Sequence, residues 1–200
     1  MQLAKIESHT LKLNKEQFNL GKAVLSVIQD IINQSGRYNG KKANVSFFGG
    51  SFEGGADKGD DIIIVEADRG RIMQVISNIL SNAIRFSKEG DVVVSIERKG
   101  GIIDSDDGKS DSIDNNNNDD DDDDNNKGEV IVSVKDTGTG IDPDVFPKLF
   151  SKFAAVTSGT GSNGLGLFIS KSIIEAHGGR IWAENNTDGK KGRHFILIYH

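Results

Sequence analysis

Apolar residues recur along this chain with two periods, one near 3.6 and one near 2, and each change of period marks an element. Over 19–34, Val24, Leu25, Val27, Ile28, Ile31 and Ile32 stand at helical spacing, and Asn19 is placed to cap the helix. Over 68–86, Ile72, Val75, Ile76, Ile79, Leu80, Ala83 and Ile84 form a second helical stripe, opened by Asp68 as N-cap. A third helix over 165–177 is ended by Gly178 and Gly179. Residues 43–48, 61–66, 91–98, 129–135, 180–184 and 193–199 read as strands, with Val92, Val94, Ile96 and Val130, Val132, Val134 as the clearest alternations. The glycine-rich stretch 49–60 is predicted to join the first two strands as a hairpin loop, and 185–192 to turn between the last two. Residues 143–150 read as a short helix with Pro143 in its first turn. Residues 1–18 read as the end of a helix followed by a short linker. The sum is an α+β chain: a two-layer α/β sandwich in which helices cover one face of a single mixed, mostly antiparallel sheet.

Composition changes this picture in one place. Between the strands at 91–98 and 129–135 lies 104–127, dominated by Asp and Asn. Such a tract buries no apolar surface and repels itself, so it is predicted to be a disordered insertion. It lacks the ordered spacing and the glycine turn of a calcium loop. Insertion at a hairpin tip costs little, so the two flanking strands are expected to pair across it. The rest of the composition serves mainly to exclude. A length of 200 residues with 36% hydrophobic content suits one domain with a sizeable core. A net charge of -6 gives no general electrostatic reason to bind nucleic acid or an anionic membrane. The absence of cysteine removes disulfides and thiolate chemistry. No apolar run approaches the roughly 20 residues of a membrane span, and the first ten residues lack the apolar core of a signal peptide. The expectation is a domain in contact with cytoplasm, with a membrane anchor on a longer parent left open.

Four segments exceed what folding needs. Asn78, Asn82 and Arg85 stand four and three residues apart, on one helix face. They are either an ordinary solvent face or the wall of a polar pocket, where an amide oxygen can ligate a hard cation such as Mg²⁺. Asp136 ends a strand and is followed closely by Gly138, Gly140 and Ile141. This is either a plain turn or a place where backbone passes near a flat ligand whose amino group the carboxylate accepts. Gly159, Gly161, Gly164 and Gly166 run into a helix N-terminus, where backbone amides and the helix dipole favour phosphate. Neither a Walker A sequence nor a GxGxxG after a first strand is present. Phe150 and Phe153 begin a segment rich in Gly, Ser and Thr, as core residues or as the latch of a lid.

In this order and spacing, the four segments resemble the ATP-binding catalytic domain of sensor histidine kinases, of the superfamily shared with gyrase, Hsp90 and MutL. The N box looks like 78–86, the G1 box like 136–141, the F box like 150–153 and the G2 box like 164–167. The run Glu175, Ala176, His177, Gly178, Gly179, Arg180, Ile181, Trp182 is also typical of histidine kinases. The resemblance spans about 10–199 apart from the acidic tract. It implies the Bergerat ATP-binding fold over 19–200, with 1–18 as the end of a dimerisation helix and its linker. It implies that Asn82 ligates Mg²⁺ with Asn78 in support, and that Arg85 contacts phosphate. Phe86 and Ile141 would flank adenine, Asp136 would bind its amino group, and Gly138 and Gly140 would line the pocket. Gly164, Leu165 and Gly166 would bring backbone amides to the phosphates, with Leu167 completing that box, and 151–163 would be the ATP lid. The implied partners are a phosphoacceptor domain of the same kinase, a response regulator and, for the parent, a second copy of itself.

Position 78 decides within the superfamily. The hydrolytic relatives carry Glu there to activate water, whereas Asn78 cannot act as a base, which favours transfer to a side chain. Two departures stand out. Ser162 replaces the first glycine often found in the G2 box, and the last box reads Gly192, Arg193, His194, Phe195 where Gly-Thr/Ser-x-Phe is usual. None of His9, His177, His194 and His200 stands in the phosphoacceptor context, so the chain reads as the donor half of a longer kinase. The competing readings are an ATP-binding module without transfer activity and an ATPase of the gyrase or Hsp90 type.

Overall fold

The computed structural model describes residues 11–35, 44–49, 62–87, 90–99, 128–153, 164–188 and 191–199. In chain order they form β1 (Glu16–Asn19), α1 (Leu20–Ser35), β2 (Asn44–Gly49), β3 (Ile64–Ala67), α2 (Arg69–Ser87), β4 (Asp91–Lys99) and β5 (Glu129–Asp136). A 3-10 turn (Phe146–Lys148), α3 (Gly166–Ala176), β6 (Arg180–Asn185) and β7 (Arg193–Tyr199) complete the order. Five strands make a mixed sheet ordered β2-β4-β5-β7-β6, with β2 parallel to β4 and the other neighbours antiparallel.

The period-2 pattern decides which face of that sheet is covered. Val92, Val94 and Ile96, Val130, Val132 and Val134, and Phe195 and Leu197 are buried, while their alternates Val93, Ser95, Ile131, Ser133 and Lys135 are partly exposed. Onto the buried set α2 lays Ile72, Val75, Ile76, Ile79, Leu80 and Ala83 and α3 lays Ile173 and Ile174, while α1 adds Val24, Val27 and Ile28 to the same core beside α2 and β2. Each such Val, Leu or Ile side chain removed from water contributes about 1.5–3 kcal/mol. This is a two-layer α/β arrangement, as the sequence predicts.

Helix ends follow from named side chains. Asn19 Oδ1 accepts the Lys22 N–H at 2.8 Å, and Asp68 Oδ1 accepts the Arg71 N–H at 3.2 Å. At the end of α3, Gly178 turns left-handed at φ +82° and the Gly179 N–H reaches Ile174 C=O at 3.0 Å. His177 joins the two helices. Its Nδ1 lies 2.8 Å from Ile173 C=O, and its Nε2 lies 3.0 Å from the Asp68 N–H. The carbonyl only accepts and the amide only donates, so Nδ1 carries the proton and the ring is neutral. Burial pushes His177 below its ordinary value, against the opposing pull of the Ile173 hydrogen bond and the Asp68 charge. His177 is therefore a structural bridge.

Four expectations are corrected. The strands read at 43–48 and 61–66 do not pair as a hairpin: β2 joins β4, and β3 joins β1. There are accordingly two sheets, since β1 and β3 form an antiparallel two-stranded sheet of their own. Residues 16–18, read as the end of the linker, belong with Asn19 to a strand, with Glu16 opposite Ala67 and Asn19 opposite Ile64. The short helix read over 143–150 is only a 3-10 turn at Phe146–Lys148. The Phe146 N–H reaches Asp142 C=O at 3.0 Å, and Pro147 has no N–H with which to continue that ladder. Strands β4 and β5 do pair, from Val92 opposite Asp136 to Lys99 opposite Glu129. The acidic tract 104–127 that separates them lies outside the described residues, as do 1–10 and the central part of the glycine-rich stretch.

Candidate functional site

The edge of α2 that does not enter the core carries Asn78, Asn82, Arg85 and Phe86. Asn78 Nδ2 donates to Ser170 Oγ of α3 at 3.0 Å. With one of the two Nδ2 protons directed at Ser170, Asn78 presents its oxygen to the start of α3. There the backbone comes so close that a Cβ added at Gly166 would collide with the Asn78 amide. A side chain here would have to displace that amide or α3 itself. Leu165 caps α3 without any side-chain hydrogen bond, so the first-turn amides are met by no side chain of their own helix. One turn along α2, Asn82 Oδ1 accepts from Arg85 Nη2 at 2.9 Å, and the Arg85 guanidinium lies 4.7 Å from the Phe86 ring centroid.

The second wall comes from the end of β5. Val130, Val132 and Val134 face the core, and the same alternation carries Asp136 inward, where it is 0% exposed. Its Oδ1 accepts the Gly138 N–H at 2.8 Å and the Arg193 N–H at 3.2 Å. Its Oδ2 pairs with Arg193 Nε at 2.9 Å. The β5–β7 register places Lys135 opposite His194, so the next step sets Asp136 opposite Arg193. Arg193 Nη2 also donates to Asn82 C=O at 3.3 Å, and its guanidinium lies 4.2 Å from the Phe86 ring centroid. Burial lowers the Arg193 pKa from its ordinary value, while the Asp136 charge opposes that shift. Beyond Asp136 the chain turns through Gly140 at φ +84°. Asn185 then grips Ile141 on both sides, accepting its N–H at 2.6 Å and donating to its C=O at 3.1 Å.

The third part is a clasp. Phe150 packs against the core, whereas Phe153 is 58% exposed and left-handed at φ +62°, which is uncommon for a residue with a side chain. Its N–H donates to Gly164 C=O at 3.1 Å. Residues 154–163, most of the lid read from the sequence, lie outside the described residues, and so does Ser162.

Direct contacts therefore link Asn78 to α3 at Gly166, and Asn82 and Phe86 to Asp136 by way of Arg193. Gly138 sits against the Phe86 carbonyl, which a Cβ there would meet at 2.7 Å. Leu165 and Leu167 are half-buried at the α3 start. Sequence reasoning did not include Ser170, Asn185 or the grip of Arg193 on Asp136. Arg193 had a signal, since Arg193, Phe195 and Leu197 alternate on one face, but its meaning needs the strand register. Among the described residues no group of three or more His, Asp or Glu is placed to hold a metal. The donors offered are amide oxygens, which suit Mg²⁺, an ion that takes few protein ligands and completes its shell with water and phosphate.

The family model for histidine kinase-, DNA gyrase B- and HSP90-like ATPases matches residues 67–199. The chain belongs to that family. Within it, the similarity runs to histidine kinases. The chain is 31% identical over 194 residues to the sensor histidine kinase WalK of Bacillus subtilis, covering 95% of this chain and 26% of WalK. It is 36% identical over 141 residues to the sensor protein FixL of Bradyrhizobium diazoefficiens, covering 70% of this chain and 23% of FixL. It thus spans about a quarter of the length of these relatives. Among solved structures, the catalytic domain of histidine kinase ThkA is similar at TM-score 0.63 and 27% identity, with 93% of this chain and 95% of that one covered. Full-length ShkA in complex with AMPPNP matches at TM-score 0.65 and 20% identity, covering 99% of this chain and 35% of that one, which speaks to the fold alone. The chain corresponds in extent and fold to a histidine kinase catalytic domain of Bergerat type.

Proposed function

We propose that this chain binds Mg·ATP and donates the γ-phosphate to a histidine on a dimerisation domain outside it, for onward transfer to a response regulator. The observation that carries the reading is the junction of α2 and α3, where the Asn78 oxygen faces glycine-bounded helix amides. Asn82, with Asn78 in support, would hold Mg²⁺ through hard amide oxygens. The ion supplies neutralisation of phosphate charge. The amides of Gly164, Leu165 and Gly166, with Leu167 continuing the turn, bind phosphate oxygens, and Arg85 adds a second cation. Phe86 and Ile141 flank the base, Gly138 and Gly140 let backbone approach it, and Asp136 accepts its amino group. Phe150 and Phe153 anchor the lid at 151–163. Asn78 has no basic atom with which to activate water, which supports transfer over hydrolysis. Residues 1–18 lead in from the dimerisation helix, the parent is a homodimer, and the chain works in the cytoplasm.

Mg·ATP affinity is measured by calorimetry, followed by phosphotransfer to a separately supplied dimerisation domain. Binding that is lost in Asn82→Ala, together with labelled phosphohistidine, is the expected result. Binding without transfer selects the module reading. Steady hydrolysis without acceptor selects an ATPase.

A further inference from the structure

The Asp136 carboxylate is fully buried, and what covers it is Arg193, itself 7% exposed. The guanidinium does three things at once. It pairs with Asp136 Oδ2 at 2.9 Å, donates to the Asn82 carbonyl at 3.3 Å and stacks 4.2 Å from the Phe86 ring centroid. A purine read by this carboxylate and flanked by this ring would need the same place. A flat cation and a flat base satisfy the same two neighbours, one by charge and one by an amino group and a π-face. With Arg193 in place Asp136 is 0% exposed, so an amino group reaches it only once that side chain has moved.

We propose that Arg193 is a specificity-determining residue of the base pocket, whose guanidinium competes with the nucleotide base for Asp136 and Phe86. This rests on the nucleotide reading above. Two facts make displacement feasible. Arg193 shares Phe86 with a second guanidinium, that of Arg85, 4.7 Å from the same centroid, so like charges crowd one ring. A polyphosphate bound beside Arg85 offers that charge a partner. The Arg193 backbone stays in β7, held by its N–H to Asp136 Oδ1 at 3.2 Å, so only the side chain need leave. The nucleotide must therefore break a charge-assisted pair before it can be read, and the pocket selects against ligands that offer less than a full purine and its phosphates.

The test uses the full chain and Mg·ATP in calorimetry, with a melting curve on every variant. Arg193→Thr removes the competitor and keeps a hydroxyl, and it is expected to bind Mg·ATP about ten- to hundredfold more tightly, the equivalent of one charge-assisted hydrogen bond. Arg193→Lys, which keeps the charge but loses the planar fork, is expected to fall between. In the wild type, the Arg193 Nε–H resonance is expected to be protected from exchange without nucleotide and to lose that protection at saturating Mg·ATP. This readout stands even if Arg193→Thr folds poorly. Equal or weaker binding by a folded Arg193→Thr overturns the proposal, as does an Nε–H that stays protected in the complex. Tighter binding of Mg·GTP than Mg·ATP by the wild type also overturns it, because the guanidinium would then be reading a base carbonyl in place. No binding by wild type and Arg193→Thr alike overturns the nucleotide reading and this inference with it. Equal binding by both overturns the role of Arg193 alone.

Discussion

Substituting Gly166 by alanine tests the junction that carries the functional reading. In an ordinary helix this change stabilises by at most about 1 kcal/mol. Here the new Cβ would stand 2.8 Å from Asn78 Cγ and Nδ2, and closer still to the oxygen. Ordinary contact lies at about 3.5–4.0 Å. Either α3 moves away from α2 or the Asn78 amide turns, and turning forfeits its 3.0 Å hydrogen bond to Ser170. Overpacking costs about 1–3 kcal/mol and the lost hydrogen bond about 0.5–1.5 kcal/mol. The expected net loss is about 1–3 kcal/mol, or a melting point lower by roughly 2–10 °C. Urea unfolding measures it directly. The cause is separated by a double-mutant cycle with Asn78→Ala, which removes the obstructing amide. In that background Gly166→Ala is expected to be neutral or stabilising, so the coupling is at least about 1 kcal/mol. Gly166→Ala as stable as the wild type, or equally harmful in both backgrounds, refutes the close approach as the reason for glycine.

Three further outcomes are expected. Asp136→Asn leaves Arg193 buried without its counter-charge and is expected to cost about 3–5 kcal/mol in chemical denaturation; an unchanged midpoint contradicts the buried pair. Asn185→Ala frees the Ile141 N–H and C=O, so the Ile141 amide should exchange faster and stability fall by about 1–3 kcal/mol; an Ile141 amide as protected as before speaks against the grip. His177 titrates below its ordinary 6.5 in the folded chain, so between that value and the folded one the unfolded state binds more protons. The stability it contributes is complete above about pH 6.5 and is lost as pH falls. Melting points from pH 7.5 to 5.5 should therefore drop, and drop less in His177→Gln; His194, lowered in the same direction, accounts for what remains.

The sheet core and the three helices were legible because their patterns are long and regular. Nineteen residues of α2 present one apolar stripe, and β4 and β5 alternate without interruption. What was misread is short or non-local. Strand β1, Glu16–Asn19, has only four residues and no apolar alternation; it exists because β3 meets it from 45 positions away or more. Reading β2 and β3 as a hairpin assumed that neighbours in sequence pair, whereas β2 pairs in parallel with β4, on the far side of α2. The site was legible as residue types at helical and strand-end spacing. The identity of its Asp136 partner was not, since Arg193 reaches that carboxylate only through the β5–β7 register, 57 residues away.

The Phe153–Gly164 hydrogen bond joins the two residues that flank 154–163. A segment with joined ends is a cassette. Its length enters the cost of closure only logarithmically, about 0.6 kcal/mol per doubling. Changes of length or sequence between Phe153 and Gly164 are therefore expected to leave this hydrogen bond and the start of α3 in place. A chimaera grafted between Phe153 and Gly164, its stability compared with the parent chain's, tests that separation directly.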